Sequence, residues 1–122
     1  MSDKFALIIE DEEDLATIFS EALKAAGFET EIIYDGAVAE RRLREVCPAI
    51  VVLDLNLPHV DGNQLLHQIR TDPRLDNTRV LVATADAGMA DMLSDEADLI
   101  LLKPISFVQL RTMAERMGLT MS

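Results

Sequence analysis

The 122 residues are enough for one hydrophobic core and too few for two, which predicts a single domain spanning residues 1–122. The formal net charge of −11 argues against direct binding to nucleic acid, because such binding needs a basic surface. The apolar runs are far shorter than a membrane-spanning helix and Met1–Lys4 lacks the features of a signal peptide, so we expect a cytoplasmic protein without a membrane segment.

The first predicted strand is the apolar run Phe5–Ile9, and acidic residues follow it directly, beginning with Glu10 and Asp11. Apolar residues then recur at helical spacing from Leu15 to Ala26, which predicts a helix that Gly27 ends. The first strand therefore carries an acidic cluster at its carboxyl end.

A second strand and a second helix are predicted next. The segment Glu29–Tyr34 is rich in β-branched residues, which favours a strand. Ala37–Val46 is predicted to be a helix that stops before Pro48, since the residue before a proline avoids helical dihedral angles. Cys47 is the one cysteine of the sequence, so no internal disulfide can form, and we expect its thiol to be buried and inert.

Asp54 ends the apolar run Ala49–Leu53, and this placement is the most informative feature of the sequence. Consecutive aliphatic residues predict a strand that is buried on both faces of a parallel sheet, and such sheets carry functional groups at the carboxyl ends of their strands. Aspartate can also simply begin a turn. The similar acidic ending of the first strand favours a functional site instead.

Two later predicted strands end in a hydroxyl group and an amine. Thr84 follows Val80–Ala83, and Lys103 follows Leu99–Leu102. The remaining helices are predicted at Asn63–Arg70, as a short or irregular helix within Met89–Glu96, and as a final helix that Ser106 caps. Alternating strands and helices predict an α/β fold with a parallel sheet covered on both faces.

These strand ends predict a site for metal-dependent phosphoryl transfer. If the strands are parallel and adjacent, Glu10, Asp11 and Asp54 meet in one small volume, where their mutual repulsion calls for protons or a cation. Several carboxylate oxygens suit Mg²⁺ or Mn²⁺. Together with the Thr84 hydroxyl and the Lys103 ammonium, these groups are what phosphoryl transfer to a carboxylate requires.

From Phe5 to about Met117 the sequence resembles the receiver domain of two-component response regulators. The most specific part of the match is the motif Asp54-x-Asn56-x-Pro58-x-x-Asp61-Gly62. The resemblance implies a flavodoxin-like, doubly wound sheet of five parallel strands in the order 2-1-3-4-5, with helices on both faces.

The resemblance also implies roles for individual residues. Asp54 would be the phosphoacceptor and would share a Mg²⁺ ion with Asp11, a direct ligand, and with Glu10, a ligand through water. The backbone carbonyl of Asn56 would be a third protein ligand, and Mn²⁺ is an expected substitute for Mg²⁺.

By the same resemblance, Thr84 and Lys103 would contact the phosphoryl group, and the peptide bond between Lys103 and Pro104 would be cis. The implied partners are a histidine kinase or histidine phosphotransfer protein as donor, and a downstream protein that responds to the phosphorylated state. We expect a monomer or a weak dimer, either stand-alone or excised from a longer protein, that catalyses only its own phosphorylation and dephosphorylation.

The sequence departs from the family pattern at three places. Glu10 stands where the family more often has aspartate, and Ile100 stands where it usually has the aromatic residue that changes rotamer on activation. The segment from Thr84 to Lys103 is also shorter than usual. We therefore expect phosphorylation to rearrange residues 86–96 while Ile100 keeps its rotamer, as in a phosphoryl relay or a docking switch.

Two other functions are compatible with parts of the pattern. A haloacid-dehalogenase-like phosphatase also uses an aspartate nucleophile at a strand end, but it needs a second acid two residues later, where this chain has Asn56. A pseudo-receiver that docks partners without phosphorylation is the second alternative, which Ile100 keeps open.

Overall fold

The structure is a computed structural model that describes residues 4–57, 60–93 and 95–120. In this part of the chain five strands alternate with five α-helices. The strands β1 to β5 are Phe5–Ile9, Glu29–Ile33, Ile50–Asp54, Arg79–Thr84 and Leu99–Leu102. The helices α1 to α5 are Glu13–Ala25, Gly36–Glu45, Gly62–Thr71, Ala87–Leu93 and Phe107–Thr120. A short 3₁₀ turn, Pro73–Leu75, precedes β4.

All five strands are parallel and lie in the order β2-β1-β3-β4-β5, which confirms the predicted fold class and strand order. The register pairs Ile9 with Leu53 and Asp54 with Ala83, so the carboxyl ends of β1, β3 and β4 lie at the same edge of the sheet. The chain reverses its direction of winding between β1 and β3, and ligands of such sheets bind outside that point.

Side chains of the central strands alternate between two hydrophobic layers. In β3, Ile50 and Val52 pack in the layer that holds α1 and α5, whereas Val51 and Leu53 pack in the layer that holds α2 and α3. All four side chains are buried, and burying an aliphatic side chain of this size stabilises a fold by about 1.5–3 kcal/mol. The central strand is therefore a rigid support for Asp54 at its end.

The helices largely follow the predicted pattern. The Ser106 hydroxyl accepts a hydrogen bond from the Gln109 N–H at 3.0 Å, which confirms the predicted cap of α5. Gly27 follows α1 with a φ of 98°, a backbone conformation that favours glycine. Helix α4 is short, as expected, with seven residues, but it begins at Ala87, before the predicted range. Within the described part of the chain, no helix combines the length and apolarity that crossing a bilayer requires.

The expectation of a buried Cys47 is wrong, because the residue is exposed. It lies between α2 and β3, where the neighbouring Val46 and Pro48 take the buried positions. The Cys47 thiol accepts a contact from the Arg74 guanidinium at 3.6 Å.

Arg70 ties α3 to the start of β4 and to the segment before β5. Its guanidinium donates to the carbonyls of Glu96 at 2.6 Å and Thr78 at 3.0 Å, and to the carboxylate of Asp98 at 2.5 Å. Asp98 also accepts from the Val80 N–H at 2.7 Å. The Arg70 side chain thus holds the segment before β5 against the sheet.

We expect Arg70→Ala to lower the free energy of unfolding by about 2–3 kcal/mol, because three hydrogen bonds of a charged donor are lost together. Arg79→Ala is the matched control, since Arg79 reaches the same Asp98 carboxylate at 3.4 Å from a more exposed position. Arg79→Ala should lower the free energy of unfolding by less than about 1 kcal/mol. Denaturant unfolding measures both values, and equal losses in the two variants would contradict this interpretation of Arg70.

Candidate functional site

Three carboxylates converge at the carboxyl edge of the sheet, as the sequence predicts. Glu10, Asp11 and Asp54 each offer an oxygen atom, and these atoms lie within 4.8 Å of one another. Glu10 and Asp54 are only 1% and 2% exposed, whereas Asp11 is exposed. The site therefore has two buried acids and one acid that faces solvent.

Lys103 is brought to the same cluster by the end of β5. Its Nζ atom lies 3.2 Å from Oε1 of Glu10 and 3.3 Å from Oδ1 of Asp54, and its backbone N–H donates to the Thr84 carbonyl at 2.8 Å. The following peptide bond, to Pro104, is cis, in agreement with the resemblance. The ammonium group thus bridges the two buried carboxylates.

Burial raises the pKa of Glu10 from its ordinary value of 4.5 to about 7, and repulsion by Asp54 adds to this shift. The Glu12 N–H, which donates to Oε2 of Glu10 at 3.2 Å, and Lys103 both oppose it. Burial alone would lower the pKa of Lys103, but the attraction of Asp54 and Glu10 outweighs burial and the pKa is raised. The electrostatics therefore favour a cation beside these acids.

The residues present fit a hard divalent cation. Three carboxylates face the one positive charge that Lys103 supplies, so the cluster retains negative charge that a dication would balance. The donor atoms are oxygens, which Mg²⁺ prefers. Asp11 is exposed, so the cluster is in contact with solvent on that side.

The loop after β3 places Asn56 beside the acids. The Asn56 N–H donates to Oδ1 of Asp54 at 3.1 Å. Gly62 closes this loop against Leu55, because a Cβ atom at position 62 would lie 2.6 Å from the Leu55 Cα. Pro58, which also belongs to the motif, lies outside the described residues.

Thr84 ends β4 next to β3 and is 1% exposed. Its hydroxyl oxygen accepts from the Asp86 N–H at 3.1 Å, which leaves the hydroxyl proton for another acceptor. The structure therefore adds the Asp86 backbone to the site. In turns, a threonine hydroxyl often accepts from the backbone N–H two residues later, so a threonine at the end of a predicted strand could have indicated this contact.

Ile100 lies in β5 opposite Val82 and packs, partly buried, against the hydrophobic layer of α2 and α3. An aliphatic side chain in this position has no ring or hydroxyl group to exchange between inner and outer positions. The departure that the sequence revealed therefore lies in a strand directly beside β4, whose last residue is Thr84.

Without metal, the contribution of Glu10 to the stability of the protein is expected to fall as the pH rises from about 4.5 to about 7. The folded state raises the pKa of Glu10 to about 7, so within this window it binds more protons than the unfolded chain, and stability then declines with pH. The total change should be on the order of 3 kcal/mol.

Denaturant unfolding in EDTA across this pH range, compared between wild type and Glu10→Gln, measures the contribution of Glu10. The variant cannot titrate at position 10, so its profile should be flatter. Parallel profiles for the two proteins would show that Glu10 is not the responsible group.

A sequence model of the family described as the response regulator receiver domain matches residues 6–115. The phosphate regulon transcriptional regulatory protein PhoB of Rhizobium meliloti is 33% identical over 113 residues, which cover 90% of this chain and 50% of PhoB. The probable methanogenesis regulatory protein FilR2 of Methanothrix harundinacea is 33% identical over 120 residues, which cover 89% of this chain and 77% of FilR2. The chain thus spans about half the length of PhoB.

Solved structures show the same fold. A CheY-like response regulator receiver domain from Methylobacillus flagellatus superimposes with a TM-score of 0.83 at 26% identity, over 95% of this chain and 99% of that one. The receiver domain of the sensor histidine kinase PA1611 from Pseudomonas aeruginosa has a TM-score of 0.82 at 23% identity, over 96% and 99% of the two chains. That structure has a magnesium ion coordinated in its active-site cleft.

Proposed function

Because the chain belongs to the response regulator receiver domain family, we propose that Asp54 is its phosphoacceptor and takes a phosphoryl group from a phosphohistidine. The donor would be a histidine kinase or a histidine phosphotransfer protein. The observation that carries this proposal is the buried Asp54 carboxylate at the carboxyl edge of the sheet, with Glu10, Asp11 and Lys103 around it.

In the proposed reaction, an oxygen of the Asp54 carboxylate attacks the phosphorus atom as the bond from phosphorus to the histidine nitrogen breaks. The electron pair of that bond stays on the imidazole, which takes up a proton. A carboxylate and a phosphoryl group repel each other, so Lys103, 3.3 Å from Asp54, would offset this repulsion. The Thr84 hydroxyl, whose oxygen already accepts from Asp86, would donate to a phosphoryl oxygen.

Asp11, Asp54 and the Asn56 carbonyl would hold Mg²⁺ directly, and Glu10 would hold it through water, with Mn²⁺ able to substitute. When bound, the cation supplies charge neutralisation for the incoming phosphoryl group. Glu10 keeps Lys103 at the site through its contact at 3.2 Å. Asp11, the exposed acid of the cluster, would meet the ion as it comes from solvent.

The proposed catalysis is limited to the domain itself. Hydrolysis of the phosphoryl–Asp54 bond would reset the switch, and no turnover of external substrates is proposed. We further propose one receiver domain over residues 1–122, acting as a monomer or weak dimer in the cytoplasm. Its downstream partner would be a protein rather than nucleic acid or membrane, in keeping with the net charge of −11.

We propose that the output passes through residues 86–96 rather than through Ile100. Thr84 contacts the Asp86 N–H, so a hydroxyl that turns toward a phosphoryl group changes the start of α4 directly. The other end of this segment is anchored, since Arg70 holds the Glu96 carbonyl at 2.6 Å. A ligand shifts a conformational equilibrium only through contacts that differ between the states, and the Thr84–Asp86 contact would be such a difference.

Amide chemical shifts with and without beryllofluoride, in the presence of Mg²⁺, test the function and the output together. We expect large changes around Asp54 and Thr84 and along the described part of residues 86–96, with Ile100 little affected and no response in Asp54→Asn. Wild-type spectra that are the same with and without beryllofluoride would contradict the phosphoacceptor role. Large changes confined to Ile100 and α5, or strong dimerisation on activation, would contradict the output route.

A further inference from the structure

Gly36, the first residue of α2, lies against Val60 in the segment that leads into α3. A Cβ atom at position 36 would be 2.6 Å from the Val60 Cβ, with the two Val60 methyl carbons at 3.1 and 3.5 Å. The backbone of Gly36 is not in the left-handed region, so other residues could adopt its conformation. The close contact with Val60 therefore requires a residue without a side chain at position 36.

Both sides of this contact are held in place. The Asp35 side chain accepts from the N–H groups of Ala37 at 2.6 Å and Val38 at 3.3 Å, which fixes the first turn of α2 around Gly36. The Val60 side chain packs against the hydrophobic layer of α2 and α3. A methyl group added at position 36 therefore has to displace either the helix or the segment that carries Val60.

A displacement of Val60 reaches the acidic site through Gly62. Gly62 lies two residues after Val60, and its Cβ position would be 2.6 Å from the Leu55 Cα and 2.9 Å from the Leu55 oxygen. Leu55 immediately precedes Asn56, whose N–H donates to Asp54 at 3.1 Å. The Val60 side chain and the backbone contact between Gly62 and Leu55 thus connect the start of α2 to the residue that would offer its carbonyl to the metal.

We propose that the Gly36–Val60 contact is a positioning contact for the metal site, so that the size of residue 36 sets the affinity for Mg²⁺ through the placement of Asn56. The inference rests on the proposed function in one respect, which is that Mg²⁺ binds beside Asp54. Gly36 itself touches neither the metal nor the acids in this scheme. Groups that hydrogen-bond to metal ligands typically change metal affinity by about 10- to 100-fold when altered. Because Gly36 acts less directly than such a group, we expect an effect at the lower end of that range.

The test is the Mg²⁺ dissociation constant of Gly36→Ala, measured by calorimetry, together with the Asn56 amide shift in the metal-free protein. We expect Gly36→Ala to bind Mg²⁺ about 10-fold more weakly than the wild type. The Asn56 shift should change without metal. Ala37→Gly is the matched control, because it exchanges the same two residue types at an exposed position in the same turn and should leave the affinity unchanged.

A double-variant cycle isolates the contact. Val60→Gly removes the Cβ atom that position 36 would meet, so the Gly36→Ala substitution should have almost no further effect on Mg²⁺ affinity in that background. Val60→Gly alone should weaken Mg²⁺ binding because the segment loses its contact with α2, which keeps the inference testable if Gly36→Ala does not fold.

Several outcomes would overturn the inference. These are an unchanged dissociation constant in Gly36→Ala, wild-type affinity in Val60→Gly, and an equal loss from Gly36→Ala in both Val60 backgrounds. A wild-type protein that binds no Mg²⁺ would overturn the proposed function as well, whereas wild-type binding with unaffected variants would overturn this inference alone.

Discussion

Mg²⁺ is expected to raise the free energy of unfolding of the wild-type protein by about 2.7 kcal/mol at a concentration one hundred times its dissociation constant. Only the folded chain brings Glu10, Asp11 and Asp54 within 4.8 Å of one another, so only the folded chain offers the ion this site. Denaturant unfolding at increasing Mg²⁺ concentration measures the gain, which should follow the binding curve.

Asp11→Asn should remove most of this gain, because it takes away the exposed carboxylate of the cluster while keeping nearly the same side-chain size. Glu13→Gln is the control for net charge, since Glu13 is an exposed acid at the start of α1 outside the cluster. A gain of equal size in the wild type and Asp11→Asn would contradict the metal site. A loss of equal size in both variants would indicate nonspecific charge screening instead.

Lys103→Ala is expected to destabilise the metal-free protein at neutral pH by about 3–5 kcal/mol, the cost of removing one partner from a buried ion pair. Its ammonium group lies 3.2 Å from Glu10 and 3.3 Å from Asp54, and both acids are almost fully buried. In the variant, the two carboxylates lose the ammonium group that offsets their mutual repulsion. Thermal and denaturant unfolding in EDTA measure the loss.

Mg²⁺ should restore more stability to Lys103→Ala than it adds to the wild type, because the ion supplies positive charge that the variant lacks. Lys24→Ala is the matched control. Lys24 pairs with Glu21 at 3.5 Å on the exposed side of α1, and losing such a pair should cost less than about 1 kcal/mol. Similar losses in the two variants would contradict the role of Lys103 as the counter-charge of the buried acids.

The position of the site was predictable from the sequence because strand ends are readable from local patterns. Asp54 and Thr84 each follow a run of aliphatic residues, and the parallel order of the strands then brings their ends to one edge. Glu10 and Lys103 follow from the same rule. Their proximity depends on topology and not on details of side-chain packing. Alternating strands and helices predict a parallel sheet, and the resemblance to receiver domains implies the strand order that makes these ends adjacent.

Contacts between elements that are distant in sequence were not predictable in this way. No local pattern indicates that Gly36 meets Val60, since the contact depends on how α2 and the segment before α3 pack. The exposure of Cys47 was likewise missed, because it depends on which residue of the turn before β3 points inward. The predicted start of α4 was also wrong, because this short helix has few apolar residues at helical spacing to mark its bounds.

Intact mass spectrometry after incubation with acetyl phosphate and Mg²⁺ tests whether Asp54 accepts a phosphoryl group. We predict the added mass of one phosphoryl group in the wild type, its absence in Asp54→Asn, and its dependence on Mg²⁺. Wild-type protein that stays unmodified at saturating Mg²⁺, under conditions that label another receiver domain, would contradict the phosphoacceptor role of Asp54. Equal labelling of Asp54→Asn would contradict it as well.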